Sequence, residues 1–208
     1  MSSMIPPMKN SFIRYPMQKI FNAPSHVSIL RVLNQLTQGI SGRELARRAG
    51  INDRTCRLSL QRLEQLNLVV NLGTGKTKLF KLNRKHYFNQ YALPSLFTKE
   101  YEYLPALIEK LKEELSKNCV WACIYGSVAQ NTDYETSDLD VLIIVQDEEN
   151  IPLLEDKIAT WSADIYMHYG LSFAPVILTT DQWKHSKQFR ELKKNIIQSN
   201  IPLIGNVT

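Results

Sequence analysis

The stretch best equipped for chemistry runs from Gly126 to Val145. It reads Gly126-Ser127-Val128-Ala129-Gln130-Asn131, then five residues, then Ser137-Asp138-Leu139-Asp140 leading into Val141-Leu142-Ile143-Ile144-Val145. Asp138 and Asp140 flank one residue at the start of an apolar run, so on a strand their carboxylates project from the same face. Two hard oxygen donors so placed can hold Mg2+, or Mn2+ in its stead, together with substrate phosphates and water. Gly126 lets a backbone approach a phosphate, and Ser127 opens a helix whose N-terminus favours anions. These parts suit binding of a nucleoside triphosphate with its metal, followed by in-line displacement at phosphorus. The plainer alternative for the two aspartates is a solvated strand end.

The elements around this stretch alternate between short apolar strands and helices. Strands are predicted at 120–125, 139–145 and 173–178, with helices at 151–168 and 181–198. A long helix is predicted over 96–118. Its apolar residues Phe97, Tyr101, Leu104, Ile108, Leu111 and Leu115 recur at steps of four and three. Leu107 widens the stripe, which suits a connecting helix docked on a domain better than a homodimer seam.

The first half has a different character. Residues 1–95 carry 15 Lys and Arg against Glu44, Asp53 and Glu64, a balance of +12, whereas residues 96–208 carry 10 basic and 17 acidic residues, a balance of −7. Two units with different partners are expected, the first facing a polyanion. Residues 1–23, with Pro6, Pro7 and Pro16, read as an extended arm. A helix over 24–37 follows, with Ile29, Leu30, Val32, Leu33 and Leu36 on its apolar side. Ser41 and Glu44 form a capping-box pattern for a short helix at 42–49 that Gly50 stops. Asn52 caps a longer helix reaching Leu66. Residues 68–72 and 77–82, joined through Gly73-Thr74-Gly75-Lys76, read as a hairpin with a basic tip.

Two helices joined by a turn, a preceding helix and a following basic hairpin match the winged helix-turn-helix arrangement. On the second helix of the pair, Cys56, Leu60, Leu63 and Leu66 fall on one side. Arg54, Arg57, Leu58, Gln61, Arg62 and Gln65 occupy an arc of roughly 140° on the other. Arg and Gln supply the donors that read guanine and adenine edges, and Arg43, Arg47, Arg48, Lys76 and Lys78 are placed to neutralise phosphates. Double-stranded DNA is the expected partner, with a protein-interaction module as the alternative.

Other residue classes carry less. Cys56, Cys119 and Cys123 sit among apolar residues, making neither a disulfide framework nor a zinc site, and Cys119 and Cys123 are expected to share one sheet face. His168 and His185 lack partners at metal spacing. Trp121, Trp161 and Trp183 read as packing residues. No apolar run approaches the ~18 residues of a membrane span, and the start has no apolar signal core, so a cytoplasmic protein with no membrane partner is expected.

The stretch from Gly126 to Asp140 resembles the minimal nucleotidyltransferases of the DNA polymerase β-like superfamily, whose signature is Gly-Ser-x-Ala-Arg-Gly, five residues, then Ser-Asp-x-Asp. Gly126, Ser127, Ala129, Ser137, Asp138 and Asp140 match it residue by residue. The resemblance covers about 100–208, and the whole chain resembles bacterial and archaeal proteins that fuse a winged helix to this domain. It implies an α+β architecture: an arm (1–23), a winged helix-turn-helix (24–90), a connecting helix (91–118) and a small mixed-sheet α/β nucleotidyltransferase-like domain (119–208). Asp138 and Asp140 become metal-holding catalytic residues; Gly126 and Ser127 become nucleotide-binding. The implied reaction moves a nucleoside monophosphate from a triphosphate to an acceptor, a protein being one candidate.

Two departures qualify this. Gln130 and Asn131 stand where the signature has Arg and Gly. Active members also place a third carboxylate on a later strand, and residues 171–178 here contain no acid; Asp164 precedes them on a helix. The alternative is a transcriptional regulator whose degenerate transferase-like domain only senses nucleotide or mediates assembly.

Overall fold

The computed structural model describes residues 11–73 and 78–205. Residues 1–10 of the expected arm and the hairpin tip with Lys76 lie outside the described residues. The chain divides into two compact units, Met1–Tyr101 and Glu102–Thr208, so the division falls inside the expected connecting helix.

In the first unit, α1 (Pro16–Ile20) precedes α2 (Pro24–Gln35), β1 (Ile40–Ser41), α3 (Gly42–Arg48), α4 (Asp53–Gln65), β2 (Val69–Asn71), β3 (Leu79–Leu82) and α5 (Tyr87–Tyr91). The described part of the arm is thus not extended. Ile20 is fully buried, and the His26 Nδ1–H donates to the Ile20 carbonyl at 2.9 Å. That tertiary anchor, rather than any local periodicity, folds residues 16–20. The helix pair follows its caps. Ser41 Oγ accepts the Glu44 N–H at 3.3 Å, and Asn52 Oδ1 accepts the Thr55 N–H at 2.9 Å. Gly50 at φ +65° and Asn67 at φ +57° close α3 and α4 with left-handed turns. The three strands form an antiparallel sheet in the order β1-β3-β2. Arg84, which nothing local marks, donates to the Asn34 and Leu36 carbonyls at the end of α2.

The long helix α6 (Leu93–Leu115) starts three residues earlier and ends three earlier than expected, and it runs across the division with Pro105 inside it. Leu93 and Phe97 are buried in the first unit's core; Leu107, Leu111 and Leu115 are buried in the second's. Most of the heptad-like stripe is therefore spent on packing within the chain. No helix among the described residues is long and apolar enough to cross a membrane.

The second unit continues with β4 (Trp121–Ile124), α7 (Gly126–Gln130), β5 (Leu139–Val145), α8 (Ile151–Tyr169), β6 (Phe173–Thr179), α9 (Thr180–His185), α10 (Arg190–Gln198) and β7 (Ile201–Ile204). Its sheet runs β6-β5-β4-β7, with β5 and β6 parallel and the other pairs antiparallel. The parallel pair needs a crossover, which α8 provides. β5 is buried on both faces and accordingly reads as a continuous apolar run. Pro175 and Pro202 sit on the two edge strands, where a missing N–H costs least.

The sheet buries two faces. Leu139, Val141, Ile143 and Val145 pack with α6 and α8; Leu142 and Ile144 pack with Trp183, Phe189, Leu192 and Ile196 of α9, α10 and the link between them. The single helix expected at 181–198 is two. Thr179 and Gln182 form a reciprocal capping box that starts α9, and extended Ser186 stops it. The last apolar stretch, where no strand is predicted, pairs with β4 as β7. Cys119 precedes β4, so alternation does not govern it: it packs on the α8 face while Cys123 packs on the other. Burial raises the Cys56 and Cys119 thiols to about 11 and Cys123 to about 12, leaving all three neutral hydrophobes at neutral pH.

Candidate functional site

In the second unit, β4 delivers the chain to Tyr125, whose N–H donates to the Asp140 carbonyl at 3.0 Å. Gly126 follows at φ +70°, a conformation that side chains rarely adopt. A Cβ on Gly126 would overlap Asp140 Oδ2 and stand 3.0 Å from its Cγ. The glycine thus makes room for the Asp140 carboxylate, a role that its sequence context does not announce. At five residues, α7 is too short for a full macrodipole, so the Ser127 turn offers backbone N–H groups rather than a helix field. Asn131 closes α7 at φ +55°, taking the left-handed position where the signature has Gly.

The loop into β5 is fixed by Ser137. Its Oγ accepts the Tyr134 N–H at 2.9 Å and its own N–H donates to the Tyr134 carbonyl at 3.0 Å. Asp138 is exposed just before β5 and Asp140 is half-buried within it, with Leu139 buried between them. Alternation puts both carboxylates on the face that α9 and α10 cover further along. Burial pushes the Asp140 carboxyl above its ordinary range, and the nearby Asp138 carboxylate adds to the rise. A divalent cation would relieve both causes, and two carboxylates plus phosphate and water oxygens suit Mg2+.

Parallel pairing places Ala174 directly beside Asp140. That register position lies on the Asp140 side of β6, a strand that carries no acid. Among the described residues, no three His, Cys, Asp or Glu side chains are grouped closely enough to hold a metal. Asp164 is not a substitute. It sits on α8, which covers the opposite face, and lies 3.8 Å from Lys110. His168 bonds the Asp164 carbonyl through Nδ1, and exposed His185 lies 3.9 Å from Asp181.

In the first unit, Arg54, Arg57, Leu58, Gln61, Arg62 and Gln65 are all exposed on α4, while Cys56, Leu60 and Leu63 are buried. Ser59 is also buried, its hydroxyl 2.8 Å from that of Ser25 on α2. A cleft of about 570 Å³ runs between α4 and the sheet, lined by Arg43, Arg57, Gln61 and exposed Lys78 and also by Asp53 and Glu64. Arg47 and Arg48 are less available than expected. Arg47 grips Glu44 with two bonds of 2.8 and 2.6 Å, and Arg48 Nε donates to the same carboxylate at 2.8 Å. Arg47, then Arg48, hold the Glu44 carboxyl down to about 2. The Glu44 side chain is drawn away from closing the capping box, which is therefore only half formed.

Residues 109–206, nearly all of the second unit, match the family model described as "Polymerase beta, Nucleotidyltransferase". No curated protein matches the chain. Three solved structures overlap it in part. A "predicted DNA-binding transcriptional regulator from E. coli" is 18% identical over 43% of this chain and 87% of that one, with a TM-score of 0.35. The adhesin competence repressor AdcR from Streptococcus pyogenes is 11% identical over 74% of this chain and 88% of its own, with a TM-score of 0.34. PigF with SAH is 16% identical over 83% of this chain and 62% of its own, with a TM-score of 0.26. TM-scores this low do not establish a shared fold.

Proposed function

We propose, starting from the polymerase β-type nucleotidyltransferase domain at residues 109–206, that this chain is a DNA-binding protein whose second unit binds a nucleoside triphosphate with Mg2+. The observation that carries the nucleotide half is the seating of Asp140 against a glycine that only an absent side chain allows. Asp138 and Asp140 would hold the metal, with Mn2+ able to replace Mg2+, and Gly126 and Ser127 would face the triphosphate. A bound metal supplies neutralisation of phosphate charge.

The group beside Asp140 is the methyl of Ala174, so no carboxylate stands ready to take a proton from an acceptor hydroxyl. The reading that fits best is a domain that binds nucleotide and transfers slowly or not at all. Nucleotide occupancy then becomes a signal for the DNA-binding unit. In that unit Arg54, Arg57, Gln61 and Arg62 would meet base edges. Arg43 and Lys78 would meet phosphates, joined by Lys76 and, once freed from Glu44, Arg47 and Arg48.

The retained Asp138–Asp140 pair and the Ser137 turn that fixes it favour a second reading, transfer of a nucleoside monophosphate to an acceptor such as a protein. One experiment separates the two. The protein is incubated with α-phosphate-labelled triphosphates, Mg2+ or Mn2+ and a cell lysate, beside an Asp138→Ala, Asp140→Ala variant. Nucleotide binding is followed in parallel by calorimetry. Binding that needs the aspartates, without covalent label, supports the sensing reading. Label that disappears in the variant supports transfer, and neither signal overturns both. A homodimer on a twofold operator would have to use a surface other than Leu107, Leu111 and Leu115, which the core already occupies.

A further inference from the structure

The second unit is acidic, but its charge is unevenly placed. Residues 102–180 carry 4 Lys and Arg against 14 Asp and Glu, whereas residues 181–205 carry Lys184, Lys187, Arg190, Lys193 and Lys194 against Asp181 and Glu191. Four of these cations, Lys184, Lys187, Arg190 and Lys194, are exposed. Among the described residues, none of the four lies within ion-pair distance of a carboxylate, although the same unit pairs Lys110 with Glu114 and Asp164, and Lys112 with Glu109. Lys193 Nζ lies 5.4 Å from the ring of half-buried Trp183 and donates to the Lys184 carbonyl, which leaves it poised at the same surface.

Unpaired like charges held together on α9, α10 and the link between them repel one another and are relieved by a polyanion. α9 and α10 pack on the sheet face that Asp138 and Asp140 open, and the Ser199 hydroxyl donates to the Ala129 carbonyl at 2.8 Å, tying the end of α10 to α7. The end of α10 thus lies beside α7, whereas α9 starts from the far end of β5, where the Thr180 hydroxyl donates to the Val145 carbonyl at 3.2 Å. On α10, Arg190 and Lys194 stand one turn, about 6 Å, apart along the axis.

We infer that the α9–α10 surface is a second DNA-binding surface, engaging the phosphate backbone independently of the α4 face. The choice of DNA rests on the reading of the first unit above. A chain already held on DNA by one unit presents its other unit to that polymer at high effective concentration, so modest attraction suffices.

The test is a salt series with full-length protein and random-sequence duplex DNA. Removing one cation that neutralises a phosphate lowers the slope of log K against log salt by about 0.9, so Lys184→Ala, Lys187→Ala, Arg190→Ala, Lys194→Ala together should lower it by up to about 3.6. The two-residue variants Lys184→Ala, Lys187→Ala and Arg190→Ala, Lys194→Ala, each touching only exposed side chains, should each give roughly half of that change. A Lys110→Ala, Lys112→Ala, Lys157→Ala control should keep the wild-type slope. Wild-type binding whose slope stays within about 1 in all the α9–α10 variants overturns this inference alone. Wild-type protein that binds no DNA overturns it together with the reading of the first unit.

Discussion

Gly126 and Asp140 share one small volume: the carboxylate of Asp140 occupies the space that a Cβ at position 126 would need. The two residues belong to different elements, α7 and β5, and the backbone bond from Tyr125 to the Asp140 carbonyl holds them in register. Gly126→Ala must either push the carboxylate aside or leave φ +70°, at about 1–3 kcal/mol. We expect this variant to fold with reduced stability in a denaturant melt, and to lose at least about tenfold in affinity for a metal-bound triphosphate by calorimetry, which corresponds to about 1.4 kcal/mol. An unchanged affinity would show that the carboxylate position is irrelevant to the ligand.

Asp140 also predicts a pH dependence. Its folded pKa is raised by burial and by Asp138, so the folded state binds its proton more tightly than the unfolded chain does. The metal-free protein should therefore gain stability from this group as pH falls from above the raised value toward the ordinary carboxylate range. At neutral pH the ionised group is a net cost. Asp140→Asn should raise the metal-free melting temperature by about 1–3 °C at neutral pH and flatten that part of the pH profile. The same variant should show no thermal shift with metal and triphosphate. A lower metal-free melting temperature would contradict the assignment.

Ala174 is the position at which a third carboxylate can be tested. Its parallel pairing with Asp140 puts its Cβ on the same sheet face, so Ala174→Asp would place a third carboxylate beside the existing two. Mn2+ affinity should rise by about tenfold or more, roughly 1.4 kcal/mol, and label transfer should appear or increase. Tighter Mn2+ binding without transfer would show that the acceptor site, not the metal site, limits the chemistry. Unchanged Mn2+ affinity would show that position 174 is not the third station.

These relationships were legible to different degrees. β5 announced itself, because a strand buried on both faces needs an unbroken apolar run and Leu139–Val145 is one. The caps at Ser41 and Asn52 were readable for the same local reason. The register that sets Ala174 beside Asp140 is tertiary and leaves no mark in either segment. Helix α1 depends on Ile20 entering a core and on a bond from His26, and β7 depends on β4 as its partner, so neither has a periodic signal of its own. The break between α9 and α10 lets Trp183 and Phe189 reach the same apolar face, a demand of packing rather than of propensity. At the site, the spacing alone puts Asp138 and Asp140 on one face, whereas only the geometry shows Gly126 also making room for the Asp140 carboxylate.

Glu44 makes the last prediction the sharpest for the first unit. One carboxylate holds both Arg47 and Arg48, so two guanidinium groups expected at phosphates are tied to an acid on their own helix. These are exposed pairs, which exchange partners at little cost. The Glu44 N–H bond to Ser41 is a backbone bond and survives a change of side chain. Glu44→Gln should therefore leave α3 intact, strengthen binding to random-sequence duplex several-fold, and steepen the salt slope by up to about 1.8 if both arginines reach phosphates. Arg57→Ala and Arg62→Ala should act in the opposite direction, each costing about 1–3 kcal/mol on a specific site by mobility shift at fixed salt. Arg47→Ala in the wild-type background should cost much less, because its charge is already matched. If Glu44→Gln binds DNA no better and Arg47→Ala weakens binding as much as Arg57→Ala does, then Glu44 does not restrain the pair and α3 contacts phosphate as it stands.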